Sequence, residues 1–520
     1  MKKSILLGLM TLLICSCSSN ISSSLNNNKN SSSDSSSSNK ISSEVNSDIS
    51  SNLSSSSEES SISETSKVTN NEYIINGKND LDQDKFYNEF YAYTSDIEIN
   101  LKFTNKSIYK LAKYSSDDNK KDMYHPCDMT INMNGNSYIF NEVGARMKGN
   151  TSRNENFVNE NGKFNAPVHF KISVSQTFDD EDDNDYYIRE WKNSDLRSER
   201  KKRRIGAAKK FDIKYNKNED YTFTRQIYAY HVFKEEGLVA QRNNLVKVNI
   251  YSETDKMTQL YELQECIDSE FLERRYNEEE ASGNLYKCTY TDRGPADLTH
   301  YNNNVIGVEK GSYHPVYDLK TNDKEANHTL LKNLIDSLNN DTRKASEYKT
   351  TFDSMIESEE LIKFLAMSWV IGNPDDIRNN SNNYYMYFNS LNNKATFIPY
   401  DFDRCFGILK DWAIHMEEIP YYTTKQNTGE RKWQKNPLFW RTIISTTDSS
   451  VDYSKKWEII SEYQELYKEL CIEYANKYLD VNKYQEFNEQ FVYSNKDINK
   501  GGANNLNFKQ YCEAKLNTFN

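Results

Sequence analysis

Two stretches, residues 372–389 (GNPDDIRNNSNNYYMYFN) and 397–407 (FIPYDFDRCFG), decide how this chain is interpreted. The residues that follow Tyr384 and those that lead to Asp401 alternate as β-strands do, and a polar turn near Asn392 separates them. We therefore expect an antiparallel hairpin in which Tyr384 pairs with a residue near Asp401. Strand geometry would then bring the loop before the first strand together with the acidic end of the second.

The polar residues at the open end of this hairpin are of the types that bind divalent cations. Asp375, Asp376, Asp401 and Asp403 supply carboxylates, and the loop adds several asparagine amides. Mg²⁺ takes oxygen ligands and needs few protein carboxylates when phosphates share the site. Phosphoryl transfer also needs an acidic group to orient the attacking hydroxyl. Asn and Asp also stabilise ordinary loops, but two acidic segments folded together favour a metal site.

The rest of the folded part divides into a sheet-rich half and a helical half, which predicts an α+β fold. The dipeptide Asn134-Gly135 marks a two-residue hairpin turn. Alternating segments predict strands at residues 129–143, 168–174, 209–215, 245–251 and 259–264. Capping residues and helical periodicity predict helices at residues 225–236, 268–276, 329–338, 358–372 and 460–478.

The N-terminus has the features of an export signal. Two lysines precede an apolar segment, residues 5–14, that is too short to span a bilayer as a mature helix. Residues 14–17 (ICSC) resemble a lipoprotein cleavage motif, so we predict a lipid on Cys17, with an ordinary secretory signal as the alternative. Residues 18–71 are mostly Ser and Asn and predict a disordered tether. We expect a cell-surface protein, anchored to the outer face of the bacterial cytoplasmic membrane through this lipid only.

Composition excludes some functional classes. The net charge of -12 argues against nucleic-acid binding, because few cations would neutralise phosphates. The basic run at 197–204 (RSERKKRR) follows an acidic run at 179–185 (DDEDDND), and we expect the two to face each other in a solvated insertion. The cysteines have no CxxC spacing and the histidines no HExxH spacing, so neither set predicts a zinc site.

Four sequence blocks together resemble the CotH (spore coat protein H) kinase family. They are residues 146–153 (RMKGNTSR), residues 261–268 (YELQECID) with 283–287 (GNLYK), the loop at 375–387, and residues 399–403 (PYDFD) followed by Phe406-Gly407. The order of the last two blocks also resembles the catalytic loop, short hairpin and Asp-Phe-Gly strip of protein kinases. No single block is decisive, but all four occur in the order of the family.

The resemblance implies a role for each matching residue of the loop and hairpin. Asp375, or its neighbour Asp376, would be the catalytic aspartate. Asp401 would be the principal metal ligand, with Asp403 as its helper. The metal-binding amide of the loop would be Asn379, Asn380 or Asn383.

The resemblance also implies a set of residues that bind the nucleotide. The chain has no tight Gly-x-Gly-x-x-Gly loop, so Arg146, Lys148, Asn150 and Arg153 would hold the phosphates instead. Lys171 would be the phosphate-binding lysine, and Lys287 is a weaker candidate. Glu265 would pair with that lysine.

At the level of the whole chain, the resemblance implies a two-lobed, protein-kinase-like fold. Residues 72–325 would form an N-lobe built on an antiparallel sheet, and residues 326–520 a mainly helical C-lobe. Such a protein would transfer the γ-phosphate of ATP, with Mg²⁺ or Mn²⁺, to Ser or Thr of an exported or surface protein. The alternative is a non-catalytic surface module that binds a protein or carbohydrate. The aspartates of the metal site favour the enzyme.

Overall fold

The structure is a computed structural model that describes residues 67–69, 82–149, 152–179, 186–408, 415–418, 436–443, 458–501 and 504–519. These residues form a mixed α+β fold, as the sequence predicts. The predicted lipidation site Cys17 and the predicted phosphate-binding residue Asn150 lie outside the described residues. Most of the predicted tether also lies outside them, although residues 67–69 form a short strand.

The described residues contain thirteen β-strands. They are β1 (Lys67–Thr69), β2 (Ile97–Lys102), β3 (His125–Met133), β4 (Asn136–Met147), β5 (Phe170–Ser173), β6 (Lys210–Tyr215), β7 (Asn243–Tyr251), β8 (Lys256–Glu265), β9 (Leu285–Cys288), β10 (Ile306–Gly307), β11 (Tyr317–Leu319), β12 (Tyr384–Phe388) and β13 (Ala395–Pro399).

Seven of these strands form a sheet that closes on itself. Its order is β4-β3-β2-β7-β8-β6-β5, and β5 pairs back with β4, while β1 adds to the outside of β4. Neighbours within the closed sheet are antiparallel except β2 and β7, which are parallel. The predicted antiparallel sheet is therefore present with one parallel pair, and its closure was not anticipated.

The turn between β3 and β4 shows how the local sequence determines one corner of this sheet. Asn134 and Gly135 both have positive φ angles, 49° and 80°. This is the pattern of the type I′ turns that suit two-residue hairpins, and Asn and Gly adopt it most readily. The predicted hairpin is confirmed.

A second sheet has the order β10-β11-β9-β12-β13. Its last two strands form the predicted hairpin, in which Tyr384 lies opposite Pro399. The predicted partner near Asp401 is thus correct to within two residues. Strand β9 precedes the predicted lobe boundary at residue 325, and it pairs with β12, which follows that boundary. Residues before the boundary therefore contribute to both sheets. The boundary itself stays a prediction.

The described residues also contain thirteen α-helices. They are α1 (Gln83–Phe90), α2 (Asn105–Tyr114), α3 (Tyr186–Lys192), α4 (Arg197–Arg200), α5 (Arg225–Glu235), α6 (Ser269–Glu273), α7 (Thr329–Asn340), α8 (Ala345–Met355), α9 (Ser358–Ile371), α10 (Pro437–Thr442), α11 (Ser461–Tyr478), α12 (Val481–Glu489) and α13 (Phe508–Leu516). None of the described helices has the length and apolar character that crossing a membrane requires.

Two large apolar cores support these elements. One is built from strands of the closed sheet with α1 and α2, and the other joins α5, α7, α9 and α11 with the second sheet. Helix α9 ends at Gly372, as predicted, and this residue has a left-handed conformation. Between the predicted charge runs, Arg197 pairs with Asp179 at 2.5 Å.

Candidate active site

The β12–β13 hairpin brings the preceding loop next to Asp401. The side-chain amide of Asn373 donates a hydrogen bond to the carbonyl oxygen of Asp401 at 3.2 Å. The backbone N–H of Asp401 donates to the hydroxyl of Tyr230 on α5 at 2.7 Å. Asp401 has a left-handed backbone with φ of 59°, which Asp adopts more readily than most residues. The two acidic segments therefore meet, as the sequence predicts.

Asp401 and Asp403 share one lysine of the closed sheet. The ammonium of Lys214 on β6 pairs with Oδ1 of Asp401 and lies 3.9 Å from Oδ2 of Asp403. Burial alone would raise the pKa of Asp401, but Lys214 outweighs it and holds that pKa well below its usual value. Burial and the negative charge of Asp401 raise the pKa of Asp403 to about 6. The two carboxylates thus form one crowded anionic site.

Asp375 belongs to the same cluster. Its Oδ1 accepts hydrogen bonds from the side-chain amides of Asn380 at 2.8 Å and Asn382 at 3.2 Å. Its Oδ2 forms an ion pair with Arg404 at 3.0 Å. The charge of Asp375 also contributes to the raised pKa of Asp403, after burial and Asp401. Its side chain is 20% exposed, so a substrate group can reach it.

Asp376 has a different environment. Only 1% of it is exposed, and its Oδ1 accepts hydrogen bonds from the backbone N–H groups of Arg378 at 2.9 Å and Asn379 at 3.2 Å. Burial raises the pKa of Asp376 to about 7. This carboxyl group stabilises the loop from inside. The geometry therefore favours Asp375 as the catalytic aspartate and does not fit that role for Asp376.

The three candidate asparagines also differ in position. Asn379 is buried, and its side-chain amide donates to Oδ1 of Asp376 and to the carbonyl oxygen of Asn373. Asn380 and Asn383 are partly exposed, and their amide nitrogens donate to Asp375, the first to its carboxylate and the second to its carbonyl at 2.8 Å. The amide oxygens of Asn380 and Asn383 are thus the atoms that a cation could use.

Lys148 and Lys171 converge on one buried carboxylate. Strand β5 places Lys171 directly opposite Asp212 on β6. Oδ2 of Asp212 lies 2.5 Å from the ammonium of Lys148, and Oδ1 lies 3.0 Å from that of Lys171. Burial opposes the charge on Asp212, but the two lysines outweigh this effect and keep its pKa well below the usual value. Both predicted phosphate-binding lysines are therefore held by Asp212, and the charge of Lys148 also helps to lower the pKa of Asp401.

Arg146 and Arg153 also converge. Both guanidinium groups contact Oδ1 of Asp122, at 2.5 Å and 3.3 Å. The side chain of Asp122 is half exposed, so this pair of arginines faces a negative group at the surface. Guanidinium groups bind carboxylate and phosphate oxygens with similar geometry. The arrangement fits the predicted anion-binding role.

The contacts of Glu265 differ from the predicted pair with a phosphate-binding lysine. Its carboxylate accepts hydrogen bonds from Arg275 at 2.6 and 3.1 Å and from the hydroxyl of Tyr87 at 2.8 Å. The predicted pair between Glu265 and a phosphate-binding lysine is therefore wrong. The register of the closed sheet places Asp212 opposite Lys171, and Asp212 takes the position of the acidic partner.

The weaker lysine candidate, Lys287, lies near the ring of Tyr400. The ammonium of Lys287 is 5.1 Å from the centre of this ring, and the ammonium of Lys148 is 5.9 Å from it. Tyr400 directly precedes Asp401, so both lysines lie near the start of the acidic segment. Contacts of this kind between cations and rings are weakly attractive. Lys287 thus remains near the site without an ion pair to Asp401 or Asp403 among the described residues.

A small cavity adjoins Lys214 and Asp403. Its volume is about 40 Å³, and its lining includes Glu262, Asn218 and Asp220. Space of this size holds a few water molecules. Burial raises the pKa of Glu262 to about 7.

The donor set consists of oxygen atoms, which are the ligands that Mg²⁺ takes. Among the described residues, no group of three or more His, Cys, Asp or Glu side chains is arranged to hold a metal ion. Asp401, Asp403 and the amide oxygens of Asn380 and Asn383 are oxygen donors, and Mg²⁺ completes its shell with water and phosphate. Asp401 and Asp403 repel each other, and a divalent cation at both would reduce this repulsion.

Comparison with protein families identifies the chain. The model of the CotH kinase protein family matches residues 177–506, more than half of the sequence. The chain belongs to the CotH kinase family. The match contains the CotH-like blocks from residue 261 onward, with Asp375, Asp401 and Asp403, whereas residues 146–153 and Lys171 precede it. No curated protein shows significant similarity to this CotH family member.

Three residues of this candidate active site were not predicted from the sequence: Asp212, Lys214 and Arg404. Strand β6 did carry a signal, because Asp212 and Lys214 alternate with the apolar residues Phe211 and Ile213. Two opposite charges on one face of a strand whose other face is apolar indicate a buried ionic site. The partner of Arg404 could not be read from sequence spacing.

Proposed function

We propose that this CotH family member is an ATP-dependent protein kinase that transfers the γ-phosphate to Ser or Thr. The observation that carries the proposal is the convergence of Asp375, Asp401 and Asp403 at the open end of one hairpin, beside lysines of the closed sheet. Family membership supports a kinase-like function. Phosphoryl transfer depends mainly on positioning and charge stabilisation, and these residues supply both.

In this proposal Asp375 orients the acceptor hydroxyl and accepts its proton. Arg404 and the amides of Asn380 and Asn382 hold the carboxylate of Asp375 in one orientation. Asp401 and Asp403 would hold Mg²⁺, with the amide oxygen of Asn380 or Asn383. When bound, Mg²⁺ would neutralise charge on the phosphates.

The cationic residues across the site would hold the nucleotide. Asp212 fixes the ammonium groups of Lys148 and Lys171, so that they are positioned before a phosphate arrives. Arg146 and Arg153 would release the carboxylate of Asp122 and bind further phosphate oxygens in its place. The closed sheet and the helical part that carries the catalytic loop would then correspond to the two lobes of a kinase, with the nucleotide between them.

The substrate and location rest on the N-terminus. A lipid on Cys17 would keep the chain at the outer face of the cytoplasmic membrane, and the Ser- and Asn-rich segment would give it reach. The proposed substrates are therefore exported or surface proteins. Intact-mass measurement of the membrane-extracted chain tests the anchor, because a diacylated Cys17 adds the mass of two acyl chains and Cys17→Ala removes it.

The test of catalysis is transfer of labelled phosphate from ATP in the presence of Mg²⁺ or Mn²⁺. Asp401→Ala should lower the rate roughly a thousandfold, since it removes a central charge-stabilising group. Asp292→Ala, at an exposed aspartate, is the matched control and should retain the wild-type rate.

The same assay separates the enzyme from the non-catalytic alternative. If wild type, Asp401→Ala and Asp292→Ala label equally, the signal does not come from this site. If none of them binds nucleotide in a thermal-shift measurement, the protein is a binding module and the kinase proposal fails.

A further inference from the structure

Lys214 is buried between the two aspartates of the site. Its side chain is 7% exposed, and strand pairing places it directly opposite Glu262 on β8. Its ammonium pairs with Oδ1 of Asp401 and lies 3.9 Å from Oδ2 of Asp403. A buried ammonium needs such partners, because leaving it unpaired would be costly.

The other lysines of the site have different partners. Lys148 and Lys171 both pair with Asp212, and Lys287 lies over the ring of Tyr400. Lys214, in contrast, forms ion pairs with both Asp401 and Asp403.

One ammonium cannot fully neutralise two carboxylates. Of the two contacts of Lys214, the one to Asp403 at 3.9 Å is the longer, so Asp403 is the less well neutralised. A divalent cation would neutralise both, but it would then lie at the carboxylate whose Oδ1 the ammonium of Lys214 contacts. An ammonium and a divalent cation at one carboxylate repel each other.

We infer that Lys214 competes with the divalent cation for Asp401 and Asp403, and that the nucleotide phosphates accept its ammonium when the cation displaces it. This inference rests on the proposed function, since it assigns the metal to Asp401 and Asp403. Lys214, rather than Lys171 or Lys287, is then the lysine that couples metal binding to nucleotide binding. Without phosphates the displaced ammonium is left beside Glu262 on the neighbouring strand, and phosphates give it a further anionic partner, so metal and nucleotide bind cooperatively.

The first test measures Mn²⁺ binding without nucleotide by electron paramagnetic resonance on the purified chain. Lys214→Met should bind Mn²⁺ about tenfold more tightly than wild type, because the competing charge is gone. Lys247→Met is the control, since Lys247 also lies on the closed sheet but pairs with Glu98, and it should change the Mn²⁺ affinity much less. Lys214→Met should still lower phosphate transfer.

The second test uses the wild-type chain and needs no variant to fold. An amine-reactive reagent followed by mass spectrometry should label Lys214 several-fold faster when Mg²⁺ is added. A non-hydrolysable ATP analogue with Mg²⁺ should restore its protection. Lys148 and Lys171, paired with Asp212, are internal controls whose labelling Mg²⁺ alone should leave unchanged.

The outcomes separate this inference from the proposed function. If Mn²⁺ binds to wild type and Asp401→Ala abolishes that binding, the metal assignment stands. Equal Mn²⁺ affinity of wild type and a folded Lys214→Met, or labelling of Lys214 that ignores Mg²⁺, then overturns the inference alone. If Mn²⁺ binding does not depend on Asp401, the metal assignment fails and the inference fails with it.

Discussion

At the scale of single residues, Asp375 and Asp376 are adjacent in sequence but differ in exposure and partners. Asp375 is partly exposed and contacts Arg404, whereas Asp376 is buried and accepts hydrogen bonds from its own loop. The sequence could not separate them, because both are aspartates in the same polar loop. The different roles of the two residues follow from the side of the loop on which each carboxylate lies.

We predict opposite outcomes for the two amide substitutions. Asp375→Asn should abolish phosphate transfer while the chain stays folded, because Asn cannot accept the hydroxyl proton. Asp376→Asn should retain transfer, because its amide oxygen can still accept the loop N–H groups. Initial transfer rates of both variants, with circular dichroism to confirm folding, check this. Loss of activity in Asp376→Asn and retention in Asp375→Asn would reverse the assignment.

Truncation of Asp376 should act on stability instead. Asp376→Ala leaves the N–H groups of Arg378 and Asn379 without their acceptor, at a cost of about 2–4 kcal/mol. Urea unfolding of wild type, Asp376→Asn and Asp376→Ala measures the cost. Equal midpoints for Asp376→Ala and wild type would show that Asp376 does not hold the loop.

Glu262 makes the stability depend on pH. Burial raises the pKa of Glu262 from its usual value of 4.5 to about 7. The folded state thus binds this proton more tightly than the unfolded state does. The stability from this group is fully present below about pH 4.5 and is lost as pH rises through about 7.

We therefore expect the difference between wild type and Glu262→Gln to depend on pH. Wild type should lose on the order of 2–3 kcal/mol from this group between pH 5 and pH 8, and Glu262→Gln should not. Gln keeps the hydrogen bond from the side-chain amide of Asn243. Urea unfolding of both chains at the two pH values gives the comparison, and parallel curves would show that Glu262 does not titrate in this range.

At the scale of elements, the end of α9 positions the catalytic loop. Gly372 has a φ of 57°, and a Cβ at this position would lie 2.1 Å from the hydroxyl of Tyr511 on α13. That hydroxyl donates a hydrogen bond to the carbonyl oxygen of Val370 at 2.8 Å. The end of α9 thus has both a left-handed conformation and a close neighbour.

Gly237 at the end of α5 is the matched comparison. It has a φ of 74°, and a Cβ there would meet nothing within 4 Å. Gly237→Ala should cost about 1 kcal/mol, from the left-handed backbone alone. Gly372→Ala should cost about 2–4 kcal/mol, because it also displaces Tyr511. Thermal unfolding of both variants tests this, and equal costs would mean that Tyr511 adapts freely.

Elements with strong local signals could be predicted from the sequence. Asn134-Gly135, Gly237 and Gly372 each marked a turn or helix end, because few other residues adopt their backbone conformations. The pairing of Lys171 with Asp212 could not be predicted, since a charged insertion separates them and only the sheet register brings them together. The partner of Glu265 was misassigned for a different reason, because α6 brings Arg275, ten residues further along the chain, back to its carboxylate.

At the scale of the whole molecule, Arg225 joins three distant segments. Its Nε donates to Asp220 at 2.7 Å, and one terminal nitrogen donates to the carbonyl oxygens of Phe406 at 3.0 Å and Leu506 at 2.7 Å. The side chain is 1% exposed. It therefore links the start of α5, the end of the acidic segment and the chain before α13.

Removal of this link should destabilise the whole fold. Arg225→Met should lower the free energy of unfolding by about 3–5 kcal/mol, because it leaves Asp220 buried and unpaired. Arg343→Met is the control, since the side chain of Arg343 is 46% exposed and its ion pair with Asp341 should contribute little to stability. Urea unfolding compares them. Similar costs for the two variants would show that Arg225 does not unite these segments.

The central claim is that Asp375 and Asp401 serve one divalent cation and one nucleotide. A crystal structure with Mn²⁺ and a non-hydrolysable ATP analogue tests it most directly, because anomalous scattering locates the manganese without reference to the protein. We expect the Mn²⁺ peak at coordination distance from the Asp401 carboxylate, with the γ-phosphate between the metal and Asp375. A metal peak away from Asp401, or an Asp375 carboxylate directed away from the γ-phosphate, would contradict it.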